Sequence, residues 1–193
     1  MSEKSPIIKR EIIAKGKWLE LNKTHWRLEN GSIHQWEGVA RVGGQGCVMM
    51  IPRLKPSGDF ILVEQFRPAL GARTLEFPAG LIDKGEKLEQ AAIRELKEET
   101  GYNGKIVQVI PPRALSPGLG SECIAIVCVD IDENKPENKT PQPSLEPTEE
   151  SLKACRLSLN ELLSLLSLKN YNGAEIEAKV SSFILGWALS ACD

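Results

Sequence analysis

Apolar and polar positions along the 193 residues alternate with two different periods. Ile7-Ile8 to Ile12-Ile13, Trp18-Leu19 to Trp26 and Ile33 to Val42 read as three extended segments, with turns at Lys15-Gly16-Lys17 and Asn30-Gly31. They predict a small antiparallel sheet that carries three tryptophans, Trp18, Trp26 and Trp36. Cys47 to Ile51 and Phe60 to Val63 predict strands joined around Pro56-Ser57-Gly58-Asp59, and a shorter strand, Thr74 to Phe77, leads into Pro78-Ala79-Gly80. From Lys87 to Thr100 the period becomes helical, and Gly101 follows as a left-handed terminator. Lys105 to Ile110 and Cys123 to Ile131 predict strands on either side of a Pro/Gly loop, Ala114 to Gly120. Asp132 to Glu149, rich in Pro, Asn and Glu, predicts a mobile loop. Leu152 to Leu157 reads as a strand, and Leu159 to Leu168 and Ala174 to Leu189 as helices. Strands and helices do not alternate regularly, so the expected fold is α+β with a mixed sheet.

Composition narrows the partners. A net charge of -2 gives no basic surface for nucleic acid. A hydrophobic content of 41% with 26% charge is that of a globular protein, and no apolar run nears the roughly 20 residues of a membrane span. Met1 to Pro6 lacks the apolar core of a signal peptide. The cysteines Cys47, Cys123, Cys128, Cys155 and Cys192 are odd in number and without a C-x-x-C pair. Cys123 and Cys128 lie in an apolar stretch and read as buried thiols. A cytosolic location, with the nucleus as a second compartment, is the expectation.

The helical segment holds the candidate chemistry. At about 100° per residue, Leu88, Ala92 and Leu96 make an apolar stripe flanked by Ala91 and Ile93. Glu95 and Glu99, four residues apart, stack on one face. Glu99 projects between Leu88 and Ala92, Glu95 lies at the stripe's edge, and Glu98 is on the adjacent side. A solvated charged helix would put these carboxylates opposite the stripe. At an inward face they repel one another and lose hydration, and a hard divalent cation relieves both penalties.

Gly80, Glu86, Arg94-Glu95-Leu96, Glu98-Glu99, Gly101 and an apolar Tyr102 fall at spacings that together resemble the Nudix box. The resemblance implies a Nudix fold, a mixed sheet between helices, and a metal-dependent hydrolase of a diphosphate linkage. It makes Glu95 and Glu99 the principal metal ligands, with the Ala79 carbonyl, and Glu98 a further ligand or water-orienting group. Arg94 would pair with Glu86 and hold the loop to the helix. Mg²⁺ is the implied cofactor, with Mn²⁺ as substitute; it neutralises the diphosphate and orients water.

The flanks, Gly16-Lys17-Trp18, Trp36-Glu37, Glu64-Gln65-Phe66-Arg67-Pro68, Glu76 to Asp83 and Ser116-Pro117-Gly118, resemble the ADP-ribose pyrophosphatase branch, and within it the animal ADP-sugar pyrophosphatases. That branch implies an N-terminal dimerisation arm over 1–42, a hydrolase domain over 43–193, and a homodimer with shared active sites. Trp18 and Trp36 would sandwich the adenine, since aromatic faces stack on a base for about 1–3 kcal/mol each. Trp26 and Trp187 are left as packing residues. Arg41 and Arg67 match phosphate-contacting arginines, with surface salt bridges as the competing reading. Glu37 and the backbone at Leu81 match substrate contacts. Ser116 stands where the branch carries an acid that helps to hold the terminal ribose. The general base falls at Glu150, with Glu149 adjacent, on a loop whose closure would complete the site. His25 and His34 have no part in this scheme. The implied reaction takes ADP-ribose or another nucleoside diphosphate sugar to AMP and a sugar phosphate. The rival readings are a Nudix hydrolase of an oxidised guanine nucleoside diphosphate or GDP-mannose, and a module that binds ADP-ribose without cleaving it.

Overall fold

The computed structural model describes residues 6–190, so Met1 to Ser5 and Cys192 lie outside the described residues. The chain divides into two compact units: residues up to Cys47 with Pro112–Ile124, and Val48–Pro111 with the chain from Ala125 onward.

The first unit is built on an antiparallel sheet in the order β1-β2-β3, where β1 is Ile7–Lys15, β2 Leu19–Arg27 and β3 Ile33–Arg41. Gly31, with φ of 85°, supplies the left-handed residue between β2 and β3, and the register then runs without a shift from Arg27↔Ile33 to Leu19↔Arg41. Much of its apolar surface is uncovered: Ile7, Ile8, Ile12, Ile13 and Ile33 are all exposed. Pro112–Ile124 joins this unit through a parallel bridge between Val39 and Gly120.

The second unit rests on a nine-stranded mixed sheet. Its strands are β4 (Cys47–Lys55), β5 (Phe60–Arg67), β6 (Ala72–Glu76), β7 (Ala79–Leu81), β8 (Lys105–Ala114), β9 (Cys123–Asp132), β10 (Lys153–Leu157), β11 (Asn170–Tyr171) and β12 (Ala174–Ile176). They run β11-β12-β6-β5-β4-β9-β8, with β10 paired to β5 and β7 to β4. Helices α1 (Leu88–Thr100), α2 (Pro136–Lys139), α3 (Leu159–Ser164) and α4 (Ala178–Ser190) complete it. Ala91, Ala92 and Leu96 of α1 pack with Val48, Met50, Ile61, Val127 and Val129, so the helical stripe and the strand faces form one core. A second cluster joins Phe60, Phe77, Phe183 and Trp187 through tilted and edge-on ring contacts, which accounts for Trp187 as a packing residue. The α+β expectation holds.

Four expectations need correction. The polar stretch after Asp132 is not a bare loop, because α2 forms within it and Asn138 is 4% exposed. The Asn138 amide accepts from Asn103 N–H at 2.8 Å and donates to the carbonyls of Asn103 and Asp132 at 2.9 Å, so a buried polar group is fully satisfied. Ala174 to Ile176 is not helical; it is β12, parallel to β6 with Glu175↔Thr74 and Ile176↔Leu75. Three residues are too few for a strand period to be told from a helical one. Cys128 is half-buried, because Ala125, Val127, Val129 and Ile131 take the core face of β9 and leave position 128 on the other, and Cys123, the first residue of the strand, is exposed. Leu159 to Leu168 splits into α3 and a 3₁₀ turn, Leu165–Ser167. Among the described residues no helix is long and apolar enough to cross a membrane.

Candidate active site

Helix α1 starts where Lys87 turns extended and its N–H donates to Gln90 Oε1 at 3.1 Å. It stops at Gly101, left-handed at φ 76°, whose N–H donates to Lys97 O at 2.8 Å. Between these ends the helix carries Glu99 into the core, 1% exposed, where its Oε2 accepts from Ala79 N–H at 3.1 Å. Burial, reinforced by the charges of Glu149 and Glu95, pushes the Glu99 carboxyl up to about 9. Burial raises Glu95 as well, against the pull of Arg94. A Cβ at Gly80 would lie 1.9 Å from Glu95 Cδ and 2.1 and 2.3 Å from its oxygens. Glycine there leaves the Glu95 carboxylate its place against the β7 backbone.

Arg94 organises the loop that precedes the helix. Its Nε and Nη2 donate to Glu86 at 2.9 and 2.8 Å, Nη2 also to Leu81 O at 3.0 Å, and Nη1 to Glu95 at 2.8 Å and Glu98 at 3.0 Å. A guanidinium has five N–H groups, and here each has an acceptor. The Arg94 side chain holds Glu86 down to about 2 and is itself raised by Glu86 first and then by Glu95 and Glu98. The Leu81 carbonyl is thereby committed to the loop's own structure.

Arg67, at the end of β5, makes a bidentate pair with Glu76 on β6 at 2.7 and 2.6 Å. Glu76 is 5% exposed and also takes the Thr74 hydroxyl. Burial raises its carboxyl, but Arg67 and Thr74 together outweigh that and leave it lowered. The positive charge of Arg67 also bears on Glu99. On the later loop, Glu149 closes a 3₁₀ turn, Pro147–Glu149, and its charge raises both Glu95 and Glu99. Glu150, the next residue, is exposed.

In the first unit the candidate residues lie open. Trp18 is 66% exposed with Lys17 Nζ 4.5 Å from its ring centre, and Trp36 is 56% exposed with its indole N–H donating to Gly118 O at 3.2 Å. Trp26 is half-buried, its ring 5.7 Å from that of His34. His25 pairs with Glu11. Glu37 stands 3.7 Å from Lys23, and Arg41 is ion-paired to Glu122. Ser116 lines a cavity of about 110 Å³ with Arg41 and Glu122.

Sequence reasoning passed over two acidic residues. Glu76 left a signal, because the two-residue period of β6 puts Thr74 and Glu76 on one face. Glu122 left none, since its partner is 81 residues away.

Among the described residues no group of three or more His, Cys, Asp and Glu side chains is arranged to hold a metal ion. The donor set nonetheless has the chemistry of one. Glu99 has a single N–H against a buried carboxyl, Glu95 sits in a space that only glycine leaves open, and Glu149 adds a third negative charge to the same neighbourhood.

A family model described as the NUDIX domain matches residues 45–179. The chain belongs to the Nudix family. It is 35% identical to the ADP-sugar pyrophosphatase of Mus musculus, over 98% of this chain and 90% of that one. To the ADP-ribose pyrophosphatase of Saccharomyces cerevisiae it is 33% identical, over 88% of this chain and 77% of that one. A crystal structure of an ADP compounds hydrolase superposes with a TM-score of 0.72 over 98% of this chain and 96% of that one; at 23% identity the likeness is one of fold. The Nudix match takes in α1, Arg67 and Glu149 but begins after Arg41. Trp18, Trp36 and Arg41 therefore lie outside the matched Nudix segment, in the part of the chain that the alignment with the mouse protein also spans.

Proposed function

We propose that this Nudix chain hydrolyses the diphosphate bond of ADP-ribose and related ADP-sugars, giving AMP and a sugar phosphate, with Mg²⁺ as cofactor and Mn²⁺ as a substitute. The observation that carries the reading is the buried Glu99 with the half-buried Glu95 packed against Gly80, in a chain 35% identical to an ADP-sugar pyrophosphatase. Glu95, Glu99 and the Ala79 carbonyl would hold the cation, with Glu98 beside them. When bound, the cation offsets the charge of the diphosphate and makes water a better nucleophile.

The chain's own residues do the rest. Arg94, with five bonds, fixes the spacing of Glu86, Glu95 and Glu98. Arg67, aligned by Glu76, turns a planar cation toward the non-bridging oxygens. A glutamate of the later loop takes the proton from water. Glu150 is its expected source, and the electrostatic reach of Glu149 to Glu95 and Glu99 favours the neighbour. Trp18 and Trp36 offer exposed faces for the adenine, Arg41 contacts phosphate, and Glu37, Leu81 and Ser116 contact the nucleotide and sugar. The uncovered isoleucines of β1 and β3 support the N-terminal sheet as the arm of a homodimer with shared sites in a cytoplasmic or nuclear enzyme.

ADP-ribose, GDP-mannose and an oxidised guanosine diphosphate, each with Mg²⁺, rank the substrates by kcat/KM. ADP-ribose should lead, and a lead for either guanine compound would overturn the substrate assignment. Light scattering at micromolar concentration tests the arm, for which a dimer is expected.

A further inference from the structure

Strand β3 is an edge strand of the three-stranded sheet, so its outer edge is open to pairing. Gly118–Glu122 occupies that edge. Val39 N–H donates to Leu119 O at 2.9 Å, and Ser121 N–H donates to Val39 O at 3.1 Å. Leu115 N–H to Glu122 O at 3.0 Å closes the base of the segment. An edge-on partner can reach both faces of a strand, and this one does. Trp36 and Arg41 are an odd number of positions apart in a regular register, so they point to opposite faces. Trp36 Nε1 nonetheless donates to Gly118 O at 3.2 Å, while Arg41 pairs with Glu122.

The approach is too close for larger residues. A Cβ on Gly120 would stand 2.8 Å from Val39 O, and one on Gly38 would stand 3.2 Å from Leu119 O. The main chains touch where a side chain would force them apart.

We propose that Gly118–Glu122 is a positioning strap that sets Trp36 and Arg41 for the nucleotide before it binds. The inference rests on the reading of Trp36 as the base platform and Arg41 as a phosphate contact. The strap holds the indole plane by its N–H and the guanidinium by its Nε, one from each face, so a base and a phosphate meet groups already aligned. Gly120 and Glu122 are positioning residues and touch no substrate themselves.

Two double-mutant cycles test this on the full-length enzyme with ADP-ribose and Mg²⁺. G120A should raise KM about ten-fold, the scale of a sub-ångström to ångström misplacement, and leave kcat within about two-fold, as expected for lost ground-state positioning. If the strap acts through Trp36, adding G120A to W36A should raise KM by less than about two-fold more. Likewise E122Q should lower kcat/KM in the parent and change nothing in an R41A background. Additive effects in the cycles would overturn the strap while leaving both substrate contacts standing. W36A with the parent's KM would remove the base platform, and the strap's role with it. Should G120A fail to fold by thermal melting, the E122Q–R41A cycle decides alone, since that pair is partly exposed and its loss is tolerable.

Discussion

Helix α1 with its preceding loop and the three-stranded sheet both carry candidate site residues, under opposite physical conditions. Around α1 the groups are partly or wholly buried and bonded to one another: Arg94 has five acceptors and Glu99 is 1% exposed. On the sheet, Trp18 and Trp36 show more than half their surface and Glu37 has one distant cation. The groups around α1 are finished by contacts within the fold, whereas the candidate tryptophans of the sheet keep their ring faces open. Removing a residue from the first region should therefore damage chemistry or stability, and from the second affinity alone.

The largest contrast should come from E99Q. Turnover should fall at least about 100-fold, the scale of losing one preorganised electrostatic contact. The melting temperature without metal should not drop, because burial already favours a neutral Glu99 and the amide keeps that form. An E99Q enzyme with parental turnover would place the reaction elsewhere.

R94A should cost about 2–3 kcal/mol of stability in urea melts, less than a fully buried network because Arg94 is 30% exposed. R41A, which breaks the half-exposed pair to Glu122, should cost less than about 1 kcal/mol. Equal costs would erase the distinction between the two regions.

Glu86 gives a pH signature. Its carboxyl is lowered from 4.5 to about 2 in the folded state, so its contribution to stability is present above pH 4.5 and fades as pH falls toward 2. The stability gap between the parent and E86Q should be full at pH 7 and narrow through that acid window. A gap constant down to pH 2.5 would mean that the ion pair adds nothing. The smallest effect belongs to W18A, for which KM should rise about five-fold, near the low end for one base stack, at unchanged melting temperature.

Legibility in the sequence follows the same division. The elements of α1, its cap at Gly101 and the inward turn of Glu99 could be read because they depend on periods and spacings of a few residues. The three strands of the sheet could be read for the same reason. Asn138 could not, since a polar residue earns burial only from acceptors at Asn103 and Asp132 that composition does not show. Glu122 and β12 were hidden likewise, their partners being far away in sequence. The spacing of the box named the carboxylates, while the choice between Glu149 and Glu150 hinges on how one turn after Pro147 is wound.

Gly101 does more than end a helix. A Cβ there would come within 2.3 Å of Gln142 N, and Ser144 N–H donates to the Glu98 carbonyl at 2.8 Å, so the later loop is moored to the tail of α1. From that mooring to Glu149 run only residues 145–149, a leash of at most about 18 Å at 3.3–3.6 Å each. That short span keeps Glu149 within electrostatic reach of Glu95 and Glu99. A bulkier residue at 101 would slacken the leash without touching a single group of the site.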